Sequence, residues 1–185
     1  MGRREGFATR SLVFPRNQVN EAYLDSCARL GIRAYRGNPG NWMYQPGAST
    51  LKRLLRLADS YVALSGDNSY RPDRRKLPVN IPASRFLRPY SRRLAPFDEL
   101  RLRRIGCDLS SAAANGHIYH LWWHPHNFGV NLRENLAFLE DVLRRFDALR
   151  KRDGMESLTM AECAARIAPP EEVEDGAVSI LSIHA

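Results

Sequence analysis

Four of the chain's five histidines fall within ten residues, at His117, His120, His124 and His126. They belong to the run His117-Ile118-Tyr119-His120-Leu121-Trp122-Trp123-His124-Pro125-His126-Asn127-Phe128-Gly129. Imidazole is the side chain suited to proton transfer near neutral pH, and it is also a common metal ligand. Ile118, Tyr119, Leu121, Trp122 and Trp123 favour a pleated strand, and Pro125 ends it. On a strand, alternate side chains share a face. His120, Trp122 and His124 are then expected on one face, with Tyr119, Leu121 and Trp123 on the other. His124 falls at the carboxyl end, where parallel α/β sheets and barrels carry their sites. His124 is therefore the leading candidate for an acid–base group and His126 a second, while His117 and His120 read as structural histidines. The cluster alone makes no convincing metal site. It lacks a His-Glu-x-x-His pattern, the chain has no Cys-x-x-Cys pair, and a catalytic metal normally needs three protein ligands.

The surrounding pattern is that of an α/β protein with parallel strands. Residues 11–15 read as a short buried strand and 19–30 as a helix stopped by Gly31, with a second strand at Ile32 to Tyr35. Residues 37–96 are rich in proline and glycine and read as a long loop insertion, such loops often being functional. One helix is expected to cross it at 49–63, with Leu51, Leu54, Leu55, Ala58 and Val62 on its apolar face and Ser49 or Thr50 as cap. Leu102, Ile105, Leu109 and Ala112 give the stripe of a further helix ending near Asn115-Gly116. A long helix is expected at about 131–151, with Leu132, Leu136, Leu139, Leu143 and Phe146 as its stripe and Asn131 with Glu134 as a capping box. Met155 to Leu158 reads as a short strand, and Thr159 with Glu162 as a second capping box. The expected division is an amino-terminal extension at 1–10, one domain at 11–168, and a loose acidic tail at 169–185 with an edge strand at Val178 to Ile183.

Phe14-Pro15-Arg16-Asn17-Gln18, Gly31-Ile32-Arg33-Ala34-Tyr35-Arg36-Gly37 and the His120 to Gly129 run together resemble a polysaccharide deacetylase-like group of the NodB-homology carbohydrate esterases. Ser84-Arg85-Phe86-Leu87-Arg88-Pro89-Tyr90 and Ser157-Leu158-Thr159-Met160 extend the similarity over most of the chain. The resemblance implies a partial (β/α) barrel of the glycoside hydrolase/deacetylase type, lacking its first strands. It implies hydrolysis of N-acetyl groups on glycans with a divalent metal, zinc or similar. Leu121 and His124 match the family's Leu-x-x-His motif, so Leu121 would line the acetyl pocket and His124 would protonate the leaving amine. Arg16 stands as the counterpart of an arginine that orients the catalytic aspartate. Trp122, Trp123, Trp42 and Tyr44 are candidates to stack on sugar rings or to pack in the core, and Arg36, His126 and Asn127 are candidate substrate contacts. The family's aspartate pair and metal-binding His-x-x-x-His segment, which precede the Arg16 region in the full domain, have no counterpart there in this chain. The resemblance thus implies the carboxyl-terminal portion of a deacetylase domain, without base or metal ligands and inactive alone. Such a chain is expected to need a missing amino-terminal half or to self-associate, and a monodisperse monomer by light scattering would count against this.

At 185 residues there is room for one ordinary domain with a real core, and 44% hydrophobic against 26% charged residues excludes wholesale disorder. The charged start has no apolar stretch after it, and no run of about 18 apolar residues occurs, so no signal peptide and no membrane partner are expected. Three scattered cysteines fit a reducing compartment, and a cytoplasmic location follows as the expectation. The net charge of +8 comes from 25 arginines and only 3 lysines among 28 basic residues. The basic runs lie outside any recognised nucleic-acid module and read as solvated faces. An acetylated glycan is the expected partner. A non-catalytic glycan-binding remnant is the alternative, and a basic nucleic-acid-binding protein ranks below both.

Overall fold

The computed structural model describes residues 9–41, 43, 50–71, 77–168 and 180–184. Its strands all pair in parallel, in two sheets. The first runs β1 (Ser11–Leu12), β2 (Ala34–Tyr35), β3 (Val79–Asn80) in that order. The second contains β4 (Arg85–Phe86), β5 (Ile118–Trp122), β6 (Glu156–Ser157) and β7 (Ile180–His184), ordered β4-β5-β7-β6. The expected α/β class with parallel strands is what the structure has, and α1 (Leu24–Arg29) lies between β1 and β2 within the expected helix at 19–30. No barrel closes among the described residues, because β1 and β6 end their sheets with no further strand beyond them.

Residues 79–87, expected as loop, instead join the two sheets. Val79, Ile81 and Ala83 donate their N–H groups to Arg33, Tyr35 and Gly37 on one side. Ser84 and Leu87 donate to His120 and Trp122 on the other. The side-chain alternation breaks in between. Val79 and Ile81 pack in one core cluster, while Leu87 packs in the other. The break lets Ser84 accept the His120 N–H at 2.9 Å while returning its own N–H to the His120 carbonyl. The chain's end differs as well. The expected edge strand is an interior one, since Ile180–His184 pairs with β5 along its whole length and with β6 at Ile180 and Leu181. Of the segment read as a loose tail, Ile180–His184 thus belongs to the second sheet, and residues 169–179 lie outside the described residues.

Helices cover both faces, which is why β5 is apolar on both. On one side α3 (Asp98–Asn115) and α5 (Leu132–Asp153) pack Leu102, Ile105, Leu109, Phe138, Val142 and Phe146 against Tyr119 and Leu121. On the other, α6 (Met160–Ile167) packs Met160, Cys163, Ala164 and Ile167 against Ile118, Val79, Ile81 and Ala34. The helix ends follow the residue types. Asp98 and Glu99 open α3, favourably placed at the positive end of the helix dipole, and Gly116 closes it at φ 61°. Thr159 caps α6, with Glu162 reaching back to the Thr159 N–H at 2.8 Å, as the sequence pattern predicts. Thr159→Ala is expected to lower the melting temperature by about 2–4 °C, and Thr159→Ser to restore it, in thermal denaturation followed by circular dichroism.

Two expected helix faces are corrected. The core-facing residues of α5 are Asn135, Phe138, Val142, Phe146 and Leu149. Of the expected stripe, Phe146 is in the core and Leu139 packs against it, but Leu132, Leu136 and Leu143 are 53%, 50% and 39% exposed, because they lie on the edge of the buried face rather than on it. Asn131 makes no side-chain capping bond. The second case is α2 (Thr50–Asp59), which buries Asp59 and exposes Leu51 and Leu54, while Leu55 and Leu57 are half-buried.

A buried ionic group ties α2 and β4 to α3. Arg85 Nε donates to Asp108 Oδ2 at 2.9 Å, and Arg85 Nη1 to the Asp59 carbonyl at 3.0 Å. Arg104 pairs with Asp108 and donates to the Gly66 carbonyl. Tyr119 Oη donates to Asp108 Oδ2 at 3.3 Å, and Asp59 also accepts from the N–H groups of Leu64 and Ser65.

Candidate functional site

The carboxyl ends of neighbouring parallel strands bring together residues distant in the chain. Arg36 follows β2, Phe86 ends β4, Trp122 ends β5, and His124 stands just beyond as the residue preceding α4 (Pro125–Gly129). The Arg36 guanidinium lies over the Trp122 ring, 4.3 Å from its centroid. Trp122 also meets Phe86 at 4.7 Å and His124 edge-on at 5.2 Å between ring centroids. His124 and His126 stack at 5.2 Å with their planes 23° apart. Both imidazoles are exposed, while Arg36 and Trp122 are half-buried.

Asn17 supports the arginine from the turn after β1. Its Oδ1 accepts from Arg36 Nε at 3.2 Å and Nη2 at 3.0 Å, and its carbonyl accepts from Asn38 Nδ2 at 3.0 Å. Asn17 adopts φ 54°, a left-handed conformation that asparagine tolerates better than most residues. Burial draws the Arg36 guanidinium pKa below its ordinary value. Arginine remains charged under such a shift, so its hydrogen-bond donors stay directed by Asn17 and the indole face.

Of the residues singled out from sequence, Arg36, Trp122, His124 and His126 thus converge. Asn127 lies beside them on α4 and is half-buried, with its backbone N–H donating to the His124 carbonyl at 3.0 Å. Arg16 sits in the turn Pro15–Asn17, and its side chain lies outside the described residues, as do Trp42 and Tyr44. Leu121 lies apart from the exposed side chains of His124 and His126. It is 0% exposed and belongs to the core cluster with Leu87, Leu102, Leu109 and Phe138 on the face turned toward α3 and α5. Trp123 faces away from Trp122, as alternation requires, and stacks on Phe128 at 5.4 Å.

Comparison with protein-family models, with curated proteins and with solved structures finds no match for this chain. What the site can do therefore rests on its residues. Two exposed imidazoles can exchange protons with a bound molecule, and a guanidinium and an indole can hold a polar ring compound by donors and by its apolar face. The divalent metal implied by the resemblance finds no complete ligand set among the described residues. Among the described residues no three His, Cys, Asp or Glu side chains converge as ligands would, and His124 and His126 supply only two.

The other two histidines are spent on structure. His120 is 0% exposed, with Nδ1 at 3.2 Å from the Ile81 carbonyl. His117 Nδ1 lies 3.0 Å from Ser69 Oγ, which donates to Asp67 Oδ2 at 3.1 Å. Burial alone would raise the Asp67 pKa, but hydrogen bonds from Ser111 and Ser69 outweigh it and hold the carboxylate below its ordinary value. Sequence reasoning missed Phe86 and Asn17 as members of the site. Their signal is positional, since each follows or ends a strand whose neighbour carries Arg36 or Trp122, and that adjacency emerges only once the sheet order is known.

Proposed function

We propose that the cluster at the strand ends binds an acetylated glycan, in a site of the polysaccharide deacetylase type whose proton donor is His124. The observation that carries this reading is the convergence of Arg36 from beyond β2 with Trp122, His124 and His126 from the end of β5 and the start of α4. Arg36 and His126 offer donors to sugar hydroxyls, the half-buried indole offers apolar ring area, and an imidazole nitrogen of His124 holds the proton for a leaving amine. A partial (β/α) barrel is the fold reading that accompanies it. The second reading, a glycan-binding module without catalysis, is favoured by the lack of a fitting metal set among the described residues.

Calorimetry with chitooligosaccharides tests the binding. We expect an affinity that a chelator leaves unchanged and that Arg36→Gln weakens by about tenfold, equal to about 1.4 kcal/mol. Absence of binding overturns both readings. Acetate release from acetylated oligosaccharides with added zinc or cobalt separates them. None is expected from this chain alone, and release abolished by His124→Gln would establish hydrolysis.

A further inference from the structure

The helix α2 is mounted with its polar side inward. Asp59 and Ser60 are buried, Arg56 Nε donates to the Met43 carbonyl at 2.7 Å, and Arg88 Nε donates to Ser60 Oγ at 2.9 Å. Part of its apolar side faces solvent, while Leu55 and Leu57 are half-buried. Leu51, Leu54 and Val62 are 65%, 59% and 57% exposed, and Ala58 is exposed between them. Positions 51, 54, 58 and 62 recur at helical spacing and form one stripe along the helix and the turn after it. Tyr61 meets Phe97 edge-on at 6.3 Å, which continues the patch to a phenylalanine that is itself exposed. Scattered apolar residues on a surface need no explanation, but a continuous stripe marks an interaction site.

The rim of this stripe is basic. Arg53 projects from α2, and exposed Arg92 and Arg93 lie in the turn between Arg88, held by Ser60, and Phe97, held against Tyr61. The neighbouring acids are already engaged, Asp98 with Arg101 at 3.0 Å and Glu99 with Arg145 at 3.5 Å. A second copy is a poor occupant, because a two-fold contact would bring these arginines against one another. The stripe also stands out into solvent, with Leu51, Leu54 and Val62 each more than half exposed on the outer side of a helix anchored by its polar side. Partner helices are received in grooves, whereas a lipid surface accepts a protruding apolar stripe flanked by cations.

We propose that α2 and Phe97 dock this protein on an anionic lipid surface, the leucine stripe entering the headgroup boundary while Arg53, Arg92 and Arg93 meet lipid phosphates. The contact is peripheral, since among the described residues no helix is long and apolar enough to cross a membrane. It uses none of the residues of the glycan site and stands independently of that reading.

Co-sedimentation of the full chain with vesicles tests it, using equal parts phosphatidylcholine and phosphatidylglycerol against phosphatidylcholine alone. The protein should pellet with the anionic vesicles and be released by salt. The double variant Leu51→Ser, Leu54→Ser should lower the partition constant by about tenfold or more, with unchanged melting. Arg92→Gln with Arg93→Gln should flatten the salt dependence. No binding to anionic vesicles, equal binding to both vesicle types, or binding indifferent to the leucine pair overturns the proposal. A concentration-dependent dimer in light scattering, dispersed by the leucine pair, would assign the stripe to a second copy and overturn it as well.

Discussion

Replacing Asp108 by alanine is expected to lower the unfolding free energy by about 3–5 kcal/mol at neutral pH, measured by urea denaturation. Asp108 is 0% exposed on α3, and it accepts from Arg85, Arg104 and Tyr119. Arg85 and Arg104 are only 3% and 6% exposed. Removing the carboxylate leaves two guanidiniums out of water with Asp59 as the remaining acid, at 3.4 Å from Arg85 and 3.8 Å from Arg104. The cost comes from stranding buried charge, and it exceeds whatever the intact pair contributes. A net-neutral apolar replacement of the whole group would lose far less, as buried ion pairs elsewhere do.

The same carboxyl gives a pH signature. Burial is the dominant influence on Asp108 and pushes its pKa up from 3.8 to about 6, against the pull of Arg85 and Arg104. The folded chain therefore holds this proton more tightly than the unfolded chain. Between about pH 4 and pH 6 the folded state binds more protons, so the contribution of Asp108 to stability falls as pH rises through that window. A shift of this size corresponds to about 3 kcal/mol across it. Carboxyls shifted down, among them Asp67 and Glu162, have the opposite sign and act at and below their ordinary range. Subtracting the Asp108→Asn profile from that of the parent isolates the effect. Identical slopes in the two proteins between about pH 4 and pH 6 would refute the assignment.

Local rules carried the sequence reading a fair distance. Gly116 and the Thr159–Glu162 box placed helix ends where they occur, because caps depend on a few neighbouring residues. The alternation of Tyr119, His120, Leu121 and Trp122 placed the histidine strand correctly. What stayed hidden was non-local. Leucine spacing in α2 and α5 identifies an apolar stripe but not whether anything covers it, and in both helices the structure leaves leucines exposed. The pairing of residues 79–87 with two different strands depends on sheet order, as does the interior position of Ile180–His184. The Asp59–Arg85–Asp108 group spans three distant segments of charged residues, which composition alone would assign to the surface. The histidine cluster was legible as a candidate site because its members are close in sequence. Its partners Arg36, Phe86 and Asn17 come from elsewhere in the fold.

Leu121→Ala is expected to destabilise the protein by about 2–5 kcal/mol, whereas His124→Ala, three residues on, is expected to leave the melting temperature nearly unchanged. The contrast follows from the alternation of β5. Leu121 pairs in register with Arg85, is 0% exposed, and packs among Leu87, Leu102, Leu109 and Phe138. Truncating it removes buried methyl groups and leaves a cavity that close-packed neighbours on two helices cannot readily fill. His124 is exposed beyond the strand's end, where its loss removes ring contacts with Trp122 and His126 but no core volume. The Leu-x-x-His pattern would make both residues part of one site, and the two roles predict opposite results. A core leucine costs stability and leaves the glycan affinity of the folded fraction intact, while a residue lining a pocket costs affinity and leaves melting intact. Paired melting and calorimetry on Leu121→Ala therefore decide the matter. A variant that melts with the parent yet loses glycan affinity would move the side chain out of the core and into the site.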